Sequence, residues 1–290
     1  MIQSGSLVVP LIPLLFATPF AGSAVCAGCH VEQAKTQLAS AHAKALAPKD
    51  GGRWDFGSGL QAVTPVSRLD GNTYLEHGLS FYRSLNREDL TPGHTDSRGV
   101  RYAIFSPGGE ILRCFLCHST GSPTVSADGV IQPGEPGVRC ESCHGPGATH
   151  VAAPQRGNLL NPRGLPADAL NQMCGSCHRK PAAAGAETDY RNAWNARHQP
   201  LYLAKSQCFL KSNGALSCLT CHPAHGGATR TGPAVCSQCH SPPKHSPRTV
   251  TAGKKCESCH MPDVVPRPGL RFANHWIGVY RRGQTLVPVR

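Results

Sequence analysis

Seven copies of Cys-x-x-Cys-His run through the 290 residues, and nothing else in the chain constrains its fold as strongly. They are Cys26/Cys29/His30, Cys114/Cys117/His118, Cys140/Cys143/His144, Cys174/Cys177/His178, Cys218/Cys221/His222, Cys236/Cys239/His240 and Cys256/Cys259/His260, and together they use all but one of the 15 cysteines. Chance would supply roughly 0.04 copies in a chain of this length and composition. The pattern reads as covalent attachment of a c-type haem. Two thiols three residues apart can each bond a vinyl group of one porphyrin, and the next residue binds the iron as proximal imidazole. Paired CxxC also builds zinc ribbons, but zinc consumes such units two at a time. Seven is odd, and zinc gives no reason for a histidine after every pair. Structural disulfides are set aside with it.

Composition agrees. The chain carries 31 Gly and 25 Pro and only 6% aromatic residues, so its own side chains have trouble burying enough surface to offset chain entropy. Seven flat apolar macrocycles would supply the missing interior, and folding should be coupled to haem attachment. The formal charge of +12 would ordinarily suggest a nucleic-acid or membrane-surface partner. About fourteen propionates bring the reduced holoprotein to roughly −2, and oxidised iron returns it to roughly +5. Many of the 29 Lys and Arg are therefore expected to face propionates, and no nucleic-acid partner is expected.

Along the chain, residues 1–24 read as an export signal, with an apolar run from Leu7 to Phe20 and the small residues Ala21-Gly22-Ser23-Ala24 before Val25. Residues 25–290 are then one heptahaem domain, exported to the periplasm or the cell surface. Val31 to Leu46 reads as a helix with Ala34, Leu38, His42 and Leu46 on one face. A cysteine-free stretch, about 54–112, reads as a small β-rich insert. Within it Leu75, His77, Leu79 and Phe81 alternate onto one apolar face, and residues 101–112 suggest a hairpin turning at Ser106-Pro107-Gly108-Gly109. Residues 187–198 read as a short helix with Tyr190, Trp194 and His198 on one face. The remainder is expected to be mostly coil with short helices wrapped around a haem stack. The motifs recur at irregular intervals, so this is no solenoid. Cys208, the fifteenth cysteine, reads as a buried or partly buried thiol.

The 15 histidines divide into seven proximal ligands and eight others, His42, His77, His94, His150, His198, His225, His245 and His275. Eight candidates for seven sixth positions, with only 3 Met in the chain, point to mostly bis-histidine, low-spin haems of low potential. His225 lies three residues from His222, a span of at most about 10 Å. That cannot wrap a macrocycle, so His225 should serve a different haem, and the same reasoning nearly excludes His150 and His245 from their own motifs. Crossed ligation of this kind packs redox centres side by side.

Several segments carry a family likeness: Cys140-Glu-Ser-Cys-His-Gly-Pro-Gly-Ala-Thr-His150, Ser217-Cys-Leu-Thr-Cys-His-Pro-Ala-His225, Cys256-Glu-Ser-Cys-His-Met-Pro, Asn274-His275-Trp276 and Ser40-Ala-His42-Ala. On these the chain resembles the multihaem cytochromes c of the cytochrome c554 type, with doubled CxxCH. The resemblance implies that His42, His150, His225 and His275 are distal ligands. Its relatives include electron carriers and nitrogen-cycle enzymes such as pentahaem nitrite reductase, whose lysine-ligated CxxCK motif is absent here. The leading expectation is an electron carrier between a membrane-side donor and a periplasmic or surface acceptor, with no catalytic residues of its own. The alternatives are an oxidoreductase with one open haem, with His77, His94 or His198 as its acid–base group, and the repeating subunit of an extracellular cytochrome filament. Purified protein should therefore contain seven haems per chain by pyridine haemochrome assay, and chain made without haem attachment should remain unfolded by circular dichroism.

Overall fold

The computed structural model describes residues 19–70, 72–105, 111–183, 185–241 and 255–289. Two short helices, α1 (Ser23–Cys29) and α2 (Val31–Leu38), precede a seven-stranded sheet, and short helices and coil follow it. The strands are β1 (Leu46–Lys49), β2 (Arg53–Phe56), β3 (Ala62–Arg68), β4 (Thr73–Glu76), β5 (Leu79–Tyr82), β6 (Arg87–Leu90) and β7 (Val100–Ala103). Their order is β1-β2-β3-β4-β7, all antiparallel, and β3 divides. Its start, Ala62–Val63, pairs with β5 and its end, Val66–Arg68, with β4, while β5 goes on to β6. The β-rich insert is thus an antiparallel sheet in which β1 to β4 follow one another and β5–β6 branch from β3 before β7 returns beside β4.

The next helix, α3 (Ile111–His118), carries the second haem motif and packs on the sheet. Phe115 is fully buried, with the rings of Trp54, Phe56 and Tyr74 edge-on to it at 5.5, 5.0 and 6.3 Å. Leu46, Val66, Ile104, Ile111 and Ile131 close this core. Burying a Phe of this kind contributes about 3–5 kcal/mol, judged by truncation to Ala. Two-residue strands β8 (Ser119–Thr120), β9 (Thr124–Val125), β10 (Ile131–Gln132) and β11 (Glu135–Pro136) pair as β8–β11 and β9–β10 and bring the chain to the third motif.

The rest is built from α4 (Cys140–His144), α5 (Ala148–Ala152), α6 (Ala167–His178), α7 (Gln199–Leu203), α8 (Gln207–Leu210), α9 (Cys218–Cys221), α10 (Pro233–Cys236) and α11 (Glu257–His260), with a closing hairpin β12 (Asp263–Arg267) and β13 (Leu270–Ala273). Arg267 fastens that hairpin to the sheet. Its guanidinium pairs with Asp89 at 3.0 Å, donates to the Leu90 carbonyl and lies 5.2 Å from the Tyr82 ring centre. Among the described residues no helix is long and apolar enough to cross a membrane.

Four sequence-based expectations need correction. The helix predicted over 31–46 stops at Leu38, because the Ser40 hydroxyl accepts the Ala43 N–H in a turn and Leu46 enters β1. The predicted apolar face of 75–81 is the outer one: Phe81 is 41% exposed, whereas Tyr74, Ser80 and Tyr82 are buried. Hydroxyl pairing decides this. Tyr82 donates to the Leu90 carbonyl, and Ser80 Oγ lies 2.7 Å from Thr64 Oγ1 and 2.8 Å from Thr91 Oγ1. The hairpin predicted over 101–112 is a strand followed by a helix, since Ile111 already begins the turn that presents Cys114; its tip falls outside the described residues. The helix predicted over 187–198 is a 3₁₀ turn at Ala193–Arg197, opened by Asn192 Oδ1 accepting the Trp194 N–H, and α7 then begins at Gln199.

Tyr74 generates a test. It is 1% exposed, and its hydroxyl accepts the buried Ile131 N–H at 2.8 Å. Tyr74→Phe leaves that donor unpaired in the core and should destabilise the protein by about 1–3 kcal/mol in denaturant unfolding.

Candidate haem-binding sites

Each motif uses one helical turn for the same purpose. In an α-helix residues i, i+3 and i+4 share a face, so the two cysteines and the histidine point to one side. The closing bond runs from the histidine N–H to the first cysteine carbonyl, at 2.9 Å for His30, 3.0 Å for His222, 3.0 Å for His240 and 3.0 Å for His260.

The structure brings imidazoles together in pairs drawn from different motifs. Ring centres lie 6.3 Å apart for His30 and His150, 6.1 Å for His144 and His225, 6.1 Å for His222 and His275, and 6.0 Å for His42 and His178. A metal–imidazole bond of about 2.0 Å, plus about 1.1 Å from nitrogen to ring centre on each side, requires about 6.2 Å. The four pairs therefore fit one iron between each. Three have nearly parallel rings, 16° to 21° apart, and the fourth is inclined at 65°.

A ligand imidazole needs one ring nitrogen free for the iron. His118 Nδ1 lies 2.9 Å from the Ala45 carbonyl oxygen, His144 Nδ1 2.7 Å from that of Leu160 and His275 Nδ1 2.9 Å from that of Ala273. His150 Nδ1 lies 2.7 Å from Asn158 Oδ1. Each of these contacts fixes the tautomer with the lone pair on Nε2. His260 Nδ1 lies 2.8 Å from the Gly278 carbonyl oxygen. His77 and His94 are arranged the other way. His77 Nε2 is 2.8 Å from Ser67 Oγ, and His94 Nε2 is 3.4 Å from Glu76 Oε2, which also accepts the Tyr102 hydroxyl at 3.0 Å. Neither meets another imidazole among the described residues. His198 lies near His178 with a buried Nδ1 that has no partner, and His245 falls outside the described residues.

Local backbone explains how the distal histidines reach so far. The His42 loop rests on residues 137–138: the His42 carbonyl accepts the Val138 N–H at 2.9 Å, and Gln37 Nε2 donates to the Val138 carbonyl. Gly137 has a positive φ of 86° and lies so near Ala43 that a Cβ would fall 2.0 Å from the Ala43 carbonyl oxygen. Only glycine fits there. His275 sits in a turn held by the fully buried Asn274, whose amide donates to the Thr285 and Leu286 carbonyls and whose oxygen accepts the Trp276 N–H. These supporting groups escape sequence reading, apart from Asn274, which stands beside its histidine in the quoted Asn-His-Trp segment.

The attachment cysteines define which motifs adjoin. Burial raises Cys26 to about 11, with Cys140 beside it adding to the effect. Burial likewise raises Cys143 to about 11, with Cys174 and Cys177 next in strength. A hydrogen bond from Cys117 lowers Cys177 to about 6, and the neighbour's hydrogen bond raises Cys174 against Cys218. Burial raises Cys236 to about 11, with Cys256 and then Cys221 contributing. Once thioethers form none of these sulfurs titrates, and what remains is the neighbourhood. Cys208 is half-buried beside Cys221 and Cys239, and burial raises its thiol.

Cys259 is the second cysteine of the last motif. It is exposed, as are Cys29, Cys114, Cys143, Cys177 and Cys239. The contacts it makes are local: its N–H donates to the Cys256 carbonyl at 3.2 Å, and its Sγ lies 3.9 Å from Ser258 Oγ. The first cysteine of that motif, Cys256, adjoins Cys236 of the preceding motif. The assignment of Cys259 as a thioether residue rests on the spacing Cys256/Cys259/His260.

Residues 97–145 match the family described as cytochrome c554 and c-prime, a stretch holding the His118 and His144 motifs. Among solved structures the chain is similar to the outer cell wall cytochrome OcwA, with a TM-score of 0.58 and 16% identity, covering 89% of this chain and 79% of that one. It is also similar to an undecahaem cytochrome from the S-layer of Carboxydothermus ferrireducens, with a TM-score of 0.54 and 18% identity, covering 93% of this chain and 53% of that one. The chain thus matches about half the length of the second structure. No curated protein matches it.

Burial gives a pH test. His275 is held down to about 4 by desolvation, and desolvation also lowers His42, His118, His178, His222 and His225 from 6.5. The unfolded chain then binds more protons than the folded one below about pH 6.5. In the haem-loaded protein iron at Nε2 would oppose protonation of the same rings, in the same direction as burial, so the stabilisation is present above about pH 6.5 and is lost progressively below it; the apparent Tm of the haem-loaded protein should drop as pH falls from 6.5 toward 4, and a flat profile would contradict it.

The paired imidazoles, the Cys-x-x-Cys-His turns and the structural likeness converge: the chain has the fold of a multihaem cytochrome c, short helices, coil and small antiparallel sheets arranged for covalently attached haem.

Proposed function

We propose that this chain is an exported heptahaem cytochrome c that relays electrons through closely packed, mostly bis-histidine haems and carries out no substrate chemistry itself. Numbering the motifs 1 to 7 along the chain, the single observation that carries the reading is the four imidazole pairs at the spacing of two ligands on one iron. In this reading His150 is the distal ligand at haem 1, His225 at haem 3, His42 at haem 4 and His275 at haem 5. Each of these histidines follows a different motif from the one it serves, so every pair ties two haem-bearing segments together.

The cysteine neighbourhoods support an order of 1–3–4–5–6–7, with haem 2 beside haem 4 through Cys117 and Cys177. The bound haem supplies the one-electron chemistry. The polypeptide supplies the axial imidazoles, several of them oriented through Nδ1, and the close packing of one centre on the next. His77 and His94 are structural in this reading, since Ser67 and Glu76 occupy their Nε2 atoms. The two similar structures are named for an outer cell wall and an S-layer. A periplasmic or surface location suits this chain as well, with a membrane-side electron donor and redox proteins as its partners.

A second reading, an oxidoreductase with an open haem, rests on His118. No second imidazole faces it among the described residues, and Glu76, which holds His94 and Tyr102, lies close enough to raise Cys114. Binding of cyanide or nitrite to the native protein, followed in the visible spectrum, separates the two: an unchanged spectrum rejects the open site.

The relay reading is tested by substitution. His150→Ala and His225→Ala should each convert one haem from low to high spin in the EPR spectrum of the ferric protein, while His77→Ala and His94→Ala should leave the low-spin signals unchanged. The opposite pattern would overturn the ligand assignment.

A further inference from the structure

The sequence places the end of an export leader at Ala24, yet residues 19–23 are built into the body of the protein. Glu141, inside the third motif, is only 5% exposed. Its carboxylate accepts three backbone N–H groups, from Ala21 at 2.8 Å, Gly22 at 2.8 Å and Gly147 at 2.7 Å. Ser23, itself buried, donates to Glu135 Oε2 through its N–H at 3.3 Å and its hydroxyl at 2.8 Å. The Pro19 carbonyl accepts the Ala148 N–H at 3.3 Å, and the Phe20 ring lies over Gly121.

A buried carboxylate is tolerated only when donors replace the water it has lost. Cleavage after Ala24 would remove two of the three N–H groups on Glu141 and both of the Ser23 donors on Glu135. It would also cut into α1, which begins at Ser23 and presents Cys26 and Cys29. The same contacts hold α1 against α4, where Cys26 and Cys140 adjoin.

We propose that Ala21, Gly22 and Ser23 stay in the working protein as a backbone clamp on Glu141 and Glu135, and that the leader is cut on the N-terminal side of Ala21. Water adds across the cut amide, leaving a carboxylate on the leader and an ammonium on the new N-terminus, with no redox partner needed. The proposal rests on the export reading. Its physical content is separate: the clamp sets the spacing between the first and third attachment helices.

The test uses the exported, haem-loaded protein. Intact mass and N-terminal sequencing should find the leader removed and a first residue no later than Ala21. A haem-loaded chain starting at Gly22 or later overturns the clamp, and a haem-free chain starting at Met1 overturns the export reading beneath it. A second form, given a heterologous leader so that it starts at Val25, measures the clamp itself. Its apparent Tm should fall by about 5 °C or more, and Glu141→Gln should lower the Tm of the natively processed protein but hardly that of the Val25-start form, because both changes remove the same contacts. Equal melting of the two starts, or fully additive effects of Glu141→Gln, overturns the proposal.

Discussion

Two imidazoles from distant parts of the chain, brought to the separation that one iron spans, form the constraint on which this architecture turns. Side-chain packing alone gives the protein little. Its largest buried apolar cluster is the eight-residue core beneath the sheet, and a second comprises Ala167, Leu203 and Phe209. The segments carrying motifs 3 to 7 have few apolar side chains to hold them. In the proposed ligation, the pairs His30 with His150, His42 with His178, His144 with His225 and His222 with His275 take over that role, because each joins segments far apart in the chain. Metal ligation and folding are then one process.

Burial makes those imidazoles suitable. Desolvation disfavours the charged form of His42, His178, His222, His225 and His275, while a carbonyl or amide oxygen at Nδ1 of His144, His150 and His275 leaves the lone pair on Nε2. His77 and His94 show the contrast. They have the same side chain and lie in the same protein, but their Nε2 atoms are spent on Ser67 and Glu76. What distinguishes a ligand from a structural histidine is therefore which nitrogen the fold consumes. The carboxylates follow a parallel logic: Glu141 survives burial only because backbone N–H groups surround it.

Much of the site was legible in the sequence. The covalent chemistry forces two cysteines and a histidine into a five-residue window, so the seven Cys-x-x-Cys-His motifs could be read directly. The reach argument that sends His225 away from His222 needed only chain length. What the sequence could not give was tertiary. The helix through His42 looks continuous by periodicity, but Ser40 and the close approach of Gly137 to Ala43 turn the chain so that His42 meets His178. The apolar face of 75–81 misled for a similar reason. Tyr74 and Tyr82 outrank Leu79 and Phe81 for the interior once their hydroxyls find backbone partners. The motif cysteines were plain, but their surroundings were not. The adjacency of Cys117 and Cys177 depends on how the sheet presents α3.

The most direct measurement is an anomalous difference map at the iron edge from crystals of the ferric holoprotein. It should contain seven iron peaks per chain, four of them midway between the ring centres of His30 and His150, His42 and His178, His144 and His225, and His222 and His275. Iron positions that pair any of these proximal histidines with a different residue, or fewer than seven peaks at full occupancy, would contradict crossed bis-histidine ligation as the basis of the fold.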